Sequence, residues 1–162
     1  VPVFKLKDVI DYAVLMETIQ ICESSLTRIM KKKPKIAICG LDPHCGDNGA
    51  IGNFDKDVTA KVVKDAQAQG IIIEGPFSAD TIFIPQRWEQ YDCIIAHYHD
   101  QGLIPFKMLA FDEGVNVTVG LSVIRTSVDH GTAFDIAGKD CADYSSMKKA
   151  IELASFLALK EE

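Results

Sequence analysis

Long hydrophobic runs are missing from this 162-residue chain, and so is any surplus of basic charge. No stretch approaches the ~20 consecutive apolar residues of a membrane span, and nothing at the amino terminus reads as a signal peptide, so no membrane partner is expected. The 17 Lys and Arg stand against 23 Asp and Glu, a net charge of −6. That balance argues against nucleic acid as a partner, which would need clustered cations. Lys31-Lys32-Lys33 is the only basic run, and it sits where a helix should end, complementing the helix dipole. The five cysteines, at 22, 39, 45, 93 and 141, lack zinc-type pair spacing, and their odd number leaves one over in any disulfide scheme. Cys22, Cys39 and Cys93 lie in apolar runs, where reduced thiols pack as small hydrophobes. A reducing cytoplasm is the expected location. No GxGxxG follows a predicted strand; Gly46-x-x-Gly49-x-x-Gly52 is a loose match of little weight. A start at Val1 rather than Met reads as a fragment or a processed product.

What is present is an ordinary globular composition, 48% apolar and 25% charged, in a length that suits one α/β unit over residues 1–162. From Lys7 to Met30 apolar residues recur at helical steps, predicting one amphipathic helix of about six turns that Pro34 ends. Lys35 to Cys39 predicts a buried strand closed by Gly40. Asp55 is placed to cap a helix running to Gln69, with Gly70 as its stop. Ile71-Ile72-Ile73 predicts a strand broken by Gly75-Pro76, and Cys93 to Ala96 another. Gln101–Ala110 predicts a helix with Pro105 in its first turns, Val115–Val119 a strand, and Ser145 the cap of a last helix. Strands alternating with helices predict an α/β fold, a mainly parallel sheet with helices on both faces.

The strands empty into polar bursts: Pro43-His44, Ser78-Ala79-Asp80-Thr81, His97-Tyr98-His99-Asp100-Gln101-Gly102 and Arg125 to Thr132. In α/β sheets chemistry collects at such carboxyl-terminal strand exits. The plainer reading of any one histidine is a hydrogen bond within its own loop. Clustering at one sheet edge favours a metal site for His44 and His99, with Asp100 and Asp47 available to hold the second ring nitrogens. His97, two residues from His99, shares its face if the backbone is extended, so it is either a third ligand or a packing residue. Imidazoles with oxygen ligands suit Zn²⁺, Mn²⁺, Co²⁺ or Mg²⁺. Lys107, Asn116 and Arg125 near the same exits suit an anionic substrate. The plain alternatives are a surface position for Lys107 and a salt bridge from Arg125 to Asp129. Chemistry alone reaches a metal-assisted enzyme acting on a small anion.

Asp42-Pro43-His44-x-Gly46, Gly75-Pro76-x-x-Ala79-Asp80-Thr81, Tyr98-His99-Asp100-Gln101-Gly102, Asn116-Val117-Thr118-x-Gly120 and Ile124 to Ala133, in this order, resemble the 4-hydroxythreonine-4-phosphate dehydrogenase family. The run His130 to Lys139 is also similar to the adenine-binding loop of isocitrate and isopropylmalate dehydrogenases, whose fold that family shares. The resemblance implies the carboxyl-terminal half of a longer dehydrogenase chain, which oxidises 4-phosphooxy-L-threonine with NAD or NADP. Decarboxylation then gives 3-amino-2-oxopropyl phosphate for pyridoxal phosphate (vitamin B6) synthesis. It implies His44 and His99 as ligands of a divalent metal, and Lys107, Asn116 and Arg125 as substrate contacts. Lys107, Asp80 and Asp100 would be catalytic or support the site, and His130, Gly131, Thr132 and Asp135 would hold the cofactor. A homodimer with a shared metal site is implied too. The family's third metal histidine precedes the first helix, where Val1-Pro2-Val3-Phe4-Lys5 stands here without one. The alternatives are a sister activity on 4-phosphothreonate or 4-phosphoerythronate, and a non-catalytic half-domain.

Overall fold

The computed structural model describes residues 1–110 and 113–159. Contacts within the chain form two compact units, Val1–Pro105 and Phe106–Glu162.

In the first unit a short helix α1 (Leu6–Val9) precedes the long α2 (Tyr12–Met30). The single helix expected from Lys7 is therefore broken. Ile10 and Asp11 are extended, and the Asp11 carboxylate accepts the Val14 N–H at 2.9 Å. Aspartate competes for backbone donors better as a cap than inside a helix, so it starts a new one. Nor does Pro34 stop α2: Lys31 turns left-handed (φ 58°) and its N–H closes on the Thr27 carbonyl. The lysine run does follow the helix end, with Lys31 as its C-cap, and two of its members find partners there: Lys32 pairs with Asp92 at 3.1 Å and Lys33 donates to the Gly70 carbonyl at 3.0 Å.

The sheet is parallel, in the order β2-β1-β3, built from β1 (Ile36–Cys39), β2 (Ile73–Phe77) and β3 (Cys93–Ile95). Every residue of β1 is buried, as a central parallel strand requires. Its alternation feeds two cores. Ile36 and Ile38 pack with Leu15, Met16 and Ile19 of α2 and with Val62, Val63 and Ala66 of α3 (Ala60–Ala68). Ala37 and Cys39 meet Ile82 of the one-turn helix α4 (Ala79–Ile82) on the other face. Each such aliphatic burial contributes about 1.5–3 kcal/mol. A one-turn α5 (Pro85–Trp88) leads to β3.

Several boundaries differ from expectation. The second strand starts two residues late because the Ile71 N–H is still used by α3, bonding the Ala66 carbonyl at 3.1 Å. It then runs through Gly75-Pro76 instead of stopping there. The register shifts between Ala37 and Cys39, opposite this stretch, where the proline's missing N–H does no harm. Gly75 lies at φ 134°, and a Cβ there would sit 2.6 Å from the Ile38 carbonyl oxygen. Asp55 does not cap its own helix. It opens a wide turn, Asp55–Thr59, ahead of α3, and its side chain reaches back to the end of β1.

Helix α6 (His99–Ala110) carries residues of both units, with Pro105 inside it. In the second unit β4 (Val115–Thr118) and β5 (Arg125–Val128) pair antiparallel, and α7 (Ser145–Leu159) packs on both. Arg125 to Val128, read as part of a polar loop, is a strand. Thr126 and Val128 are β-branched and fall in register with Val117 and Val115. Ser145 does not supply the last cap from its own side chain; its N–H is instead accepted by the Asp143 carboxylate at 2.7 Å. The α/β class with a parallel sheet stands, accompanied by this antiparallel pair.

Candidate active site

The exit of β1 is tightly constrained backbone. Cys39 leads through Gly40 to a tight turn, Pro43–Gly49, in which His44, Cys45, Gly46, Asp47 and Asn48 are all left-handed (φ 44° to 84°). For L-residues that conformation costs roughly 1–2 kcal/mol each, least for Asn, Asp and His. Surrounding bonds hold it in place. Cys45 N–H donates to the Asp42 carbonyl, and Ala50 and Ile51 N–H donate to the Asp47 and Gly46 carbonyls. Buried Asp42 accepts the Phe54 N–H at 3.2 Å and pairs with Lys7 at 2.6 Å. Buried Asp55 accepts Leu41 N–H, Asp42 N–H and the Thr59 hydroxyl at 2.8–2.9 Å. Gly46 is buried with φ 84°, and a Cβ there would run into the Gly52 backbone. The turn delivers His44 to the surface.

The exit of the neighbouring strand, β3, carries the second histidine. His99 opens α6, and its Nδ1–H donates to Asp100 at 2.8 Å, which leaves Nε2 as the ring nitrogen open to a cation on an exposed side chain. His97 does not join it. The chain turns helical at His99, and His97 points inward, 9% exposed, with its edge against the Phe54 ring. Its Nε2–H donates to the Cys39 carbonyl at 2.7 Å, and burial pushes its pKa below the ordinary histidine value. Asp80, in the first turn of α4, is exposed and accepts the Ser78 hydroxyl at 2.5 Å.

In the second unit Lys107 and Asp129 form an ion pair at 2.9 Å, and the same Nζ donates to the Asp129 carbonyl at 3.1 Å. Lys107 is therefore no plain surface lysine. Nor is Arg125 paired with Asp129: its guanidinium donates to the Thr118 hydroxyl across the strand pair at 2.7 Å. Asn116 is exposed on β4, paired with Ser127. Lys107, Asp129, His130 and Gly131 line one cavity of about 400 Å³, with Ala133, Ile136, Ala142, Asp143 and Ser146 completing its wall. His130 Nδ1–H donates to the Gly131 carbonyl at 3.0 Å. The Ser145 hydroxyl and N–H hold the Asp143 carboxyl below the usual range. Thr132 and Asp135 are exposed and lie off this wall. Ser146 and Asp143 carry no signal in the local sequence, and Asp129 stands out there only within the Arg125 to Thr132 burst, as a candidate partner of Arg125. Their place in the wall follows from pairing β4 with β5 and docking α7.

The donor set of the first unit fits part of a divalent-cation site. Two exposed imidazoles follow adjacent parallel strands, and one is oriented by a carboxylate, the usual partner of a ligating histidine. Among the described residues no three His, Cys, Asp or Glu side chains come close enough to hold a metal ion. The second-unit cavity is large enough for a small-molecule ligand, with largely apolar walls, one ammonium paired with Asp129 and a second carboxylate at Asp143. No helix among the described residues is long and apolar enough to cross a membrane.

Residues 1–154 match the family model described as pyridoxal phosphate biosynthetic protein PdxA. The 4-hydroxythreonine-4-phosphate dehydrogenase of Geobacter metallireducens is 49% identical over 144 residues, 89% of this chain and 42% of that protein. A D-threonate 4-phosphate dehydrogenase of Salmonella typhimurium is 44% identical over 154 residues, 95% of this chain and 47% of that protein. The crystal structure of 4-hydroxythreonine-4-phosphate dehydrogenase from Klebsiella pneumoniae superposes with a TM-score of 0.85 at 40% identity, covering 98% of this chain and 48% of that one. The chain thus spans about half the length of the curated relatives it matches.

Proposed function

Because this chain belongs to the PdxA family, we propose that it is the carboxyl-terminal half of a dehydrogenase that oxidises the secondary alcohol of 4-phosphooxy-L-threonine and then decarboxylates it, with NAD or NADP as acceptor. The product is 3-amino-2-oxopropyl phosphate, for pyridoxal phosphate synthesis. The observation that carries the reading is the second-unit cavity, where the anchored ammonium of Lys107 shares a wall with His130 and Gly131.

In this reading Lys107, with Asn116 and Arg125, binds the phosphate and carboxylate of the substrate, and charge-assisted hydrogen bonds supply both affinity and orientation. Asp129 holds the Lys107 nitrogen in place. His130, Gly131, Thr132 and Asp135 would hold the nicotinamide cofactor, which would supply the hydride acceptor. His44 and His99 hold a divalent cation, Zn²⁺, Mn²⁺, Co²⁺ or Mg²⁺, whose Lewis acidity lowers the barriers to alcohol oxidation and to loss of carbon dioxide. Asp100 keeps the Nε2 lone pair of His99 facing outward, and Asp80 supports the site. The remaining ligands come from outside this chain's described residues, in a homodimer that shares the site. A cytoplasmic location fits the free cysteines.

The second reading is oxidation of a phosphorylated sugar acid, 4-phosphothreonate or 4-phosphoerythronate. It is favoured by the D-threonate 4-phosphate dehydrogenase at 44% identity. The test is to add NAD⁺, Mn²⁺ and each of the three acids to the full-length polypeptide that carries this chain, following reduced-nicotinamide absorbance. The fastest acid decides between the readings, and no reduction with any of them refutes both. His99→Ala is expected to abolish turnover, and residues 1–162 alone to give little.

A further inference from the structure

The backbone that joins β1 to the His44 turn is gripped at successive residues by side chains distant in sequence. The Cys39 carbonyl accepts from His97 Nε2 at 2.7 Å, and the Gly40 carbonyl from Gln101 Nε2 at 2.8 Å. The Leu41 and Asp42 N–H groups go to Asp55. Gln101 also accepts the His97 N–H through Oε1 at 2.8 Å, so the two gripping residues are bonded to each other. Each is only 9% exposed. His97 holds its position at a cost: its Nδ1 is buried with no hydrogen-bond partner among the described residues. An apolar side chain would avoid that penalty, so the ring's presence needs a reason beyond filling space.

We propose that His97 and Gln101 are positioning residues, clamping the exit of β1 to the head of α6 and so fixing the spacing between His44 and His99. The proposal rests on reading those two exposed imidazoles as cation ligands. His44 stands four residues beyond Gly40, and His99 two before Gln101, so each clamp acts within a few residues of a ligand. The strand ladder stops short of both: β3 ends at Ile95 and β1 at Cys39. Without the clamp Asp55 would still hold Leu41 and Asp42, but the tie to the head of α6 would be lost, and a metal ion tolerates little variation in the ligand spacing.

The test uses the full-length polypeptide that carries this chain, with Mn²⁺ alone as the probe, in H97L, H97Q, Q101E and H99A. H97L removes the donor to Cys39. H97Q restores a donor, and Q101E keeps the acceptor for His97 N–H while losing the donor to Gly40. Removing groups that orient metal ligands typically costs about 10–100-fold in affinity. H97L and Q101E are expected to weaken Mn²⁺ binding by that factor and to speed amide hydrogen exchange across residues 43–49. H97Q should recover most of both, with α2 exchange unchanged throughout. Affinity within about twofold of the parent in H97L, while H99A abolishes binding, overturns the clamp. If H99A binds Mn²⁺ like the parent, or the parent does not bind it, the cation reading of His44 and His99 is what fails. The exchange data then judge the clamp by themselves, and unchanged exchange at 43–49 in H97L and Q101E overturns it.

Discussion

Replacing Asp55 with alanine should unfold much of what holds the β1 exit, and the size of the effect follows from the bonds it makes. The carboxylate is 1% exposed and accepts Leu41 N–H at 2.9 Å, Asp42 N–H at 2.8 Å and the Thr59 hydroxyl at 2.8 Å. Each donor stranded in a buried site costs about 1–3 kcal/mol, and some of this is recovered because a buried carboxylate is itself expensive to desolvate. The net expectation for Asp55→Ala is a loss of about 3–5 kcal/mol, a large share of a typical domain's 5–15 kcal/mol. Asp55→Asn keeps the shape, but whichever way its amide turns, an NH₂ group faces a backbone N–H; about 1–3 kcal/mol is expected. Urea denaturation followed by circular dichroism at fixed pH measures both. The order alanine, asparagine, parent in rising midpoint supports the reasoning. A loss below about 1 kcal/mol for Asp55→Ala would show that water replaces the carboxylate freely, and the clamped-exit picture would be wrong.

Lys107→Met removes the cation paired with Asp129; loss of a charge-assisted contact worth about 1.5–3 kcal/mol predicts a 10–150-fold fall in kcat/KM for the phosphorylated acid, read from steady-state kinetics. Glu74 accepts from the Tyr91 hydroxyl at 2.6 Å and from Lys35 at 3.0 Å, which holds its carboxyl below 4.5. The unfolded chain then binds the extra proton first, so the stabilisation is complete above about pH 4.5 and is lost as pH falls through the lower folded value; Glu74→Gln should flatten the acid limb of Tm against pH. Burial, then Glu74, raises Tyr91 from 10 to about 12, so its contribution is present below pH 10 and lost as pH rises through about 12. With a thiol reagent at pH 8, exposed Cys141 should react first, while buried Cys39, pushed up to about 12 by burial, should react only on unfolding.

The parts legible in the sequence were those encoded by neighbours. Ile36 to Cys39 and Cys93 to Ile95 announced themselves as short apolar runs, and Gly70 as a helix stop at φ 84°. The position of the polar exits was legible as well, because His44 and His99 follow those runs within five residues. What stayed hidden depends on partners far along the chain. Asp55 looked like a cap, yet its partners are Leu41 and Asp42, more than ten residues earlier. Arg125 to Val128 looked like loop until Val115 to Thr118 paired with it. Asp129, which pairs with Lys107, is 22 residues away just past β5, and spacing along the chain cannot distinguish it from any other acid. His97 and His99 are identical in type and two residues apart, and only the start of α6 between them separates a buried brace from an exposed ring.

The turn at His44 to Asn48 winds against the natural hand of its own building blocks. Its sequence tolerance is therefore the mirror image of a helix's or a strand's: mirror-image amino acids, which would wreck α2 or β1, suit Cys45 and Asp47 better than the residues now there. Chemical ligation of a D-alanine at position 47 should make the protein firmer, an outcome that no substitution drawn from the genetic code other than glycine could approach.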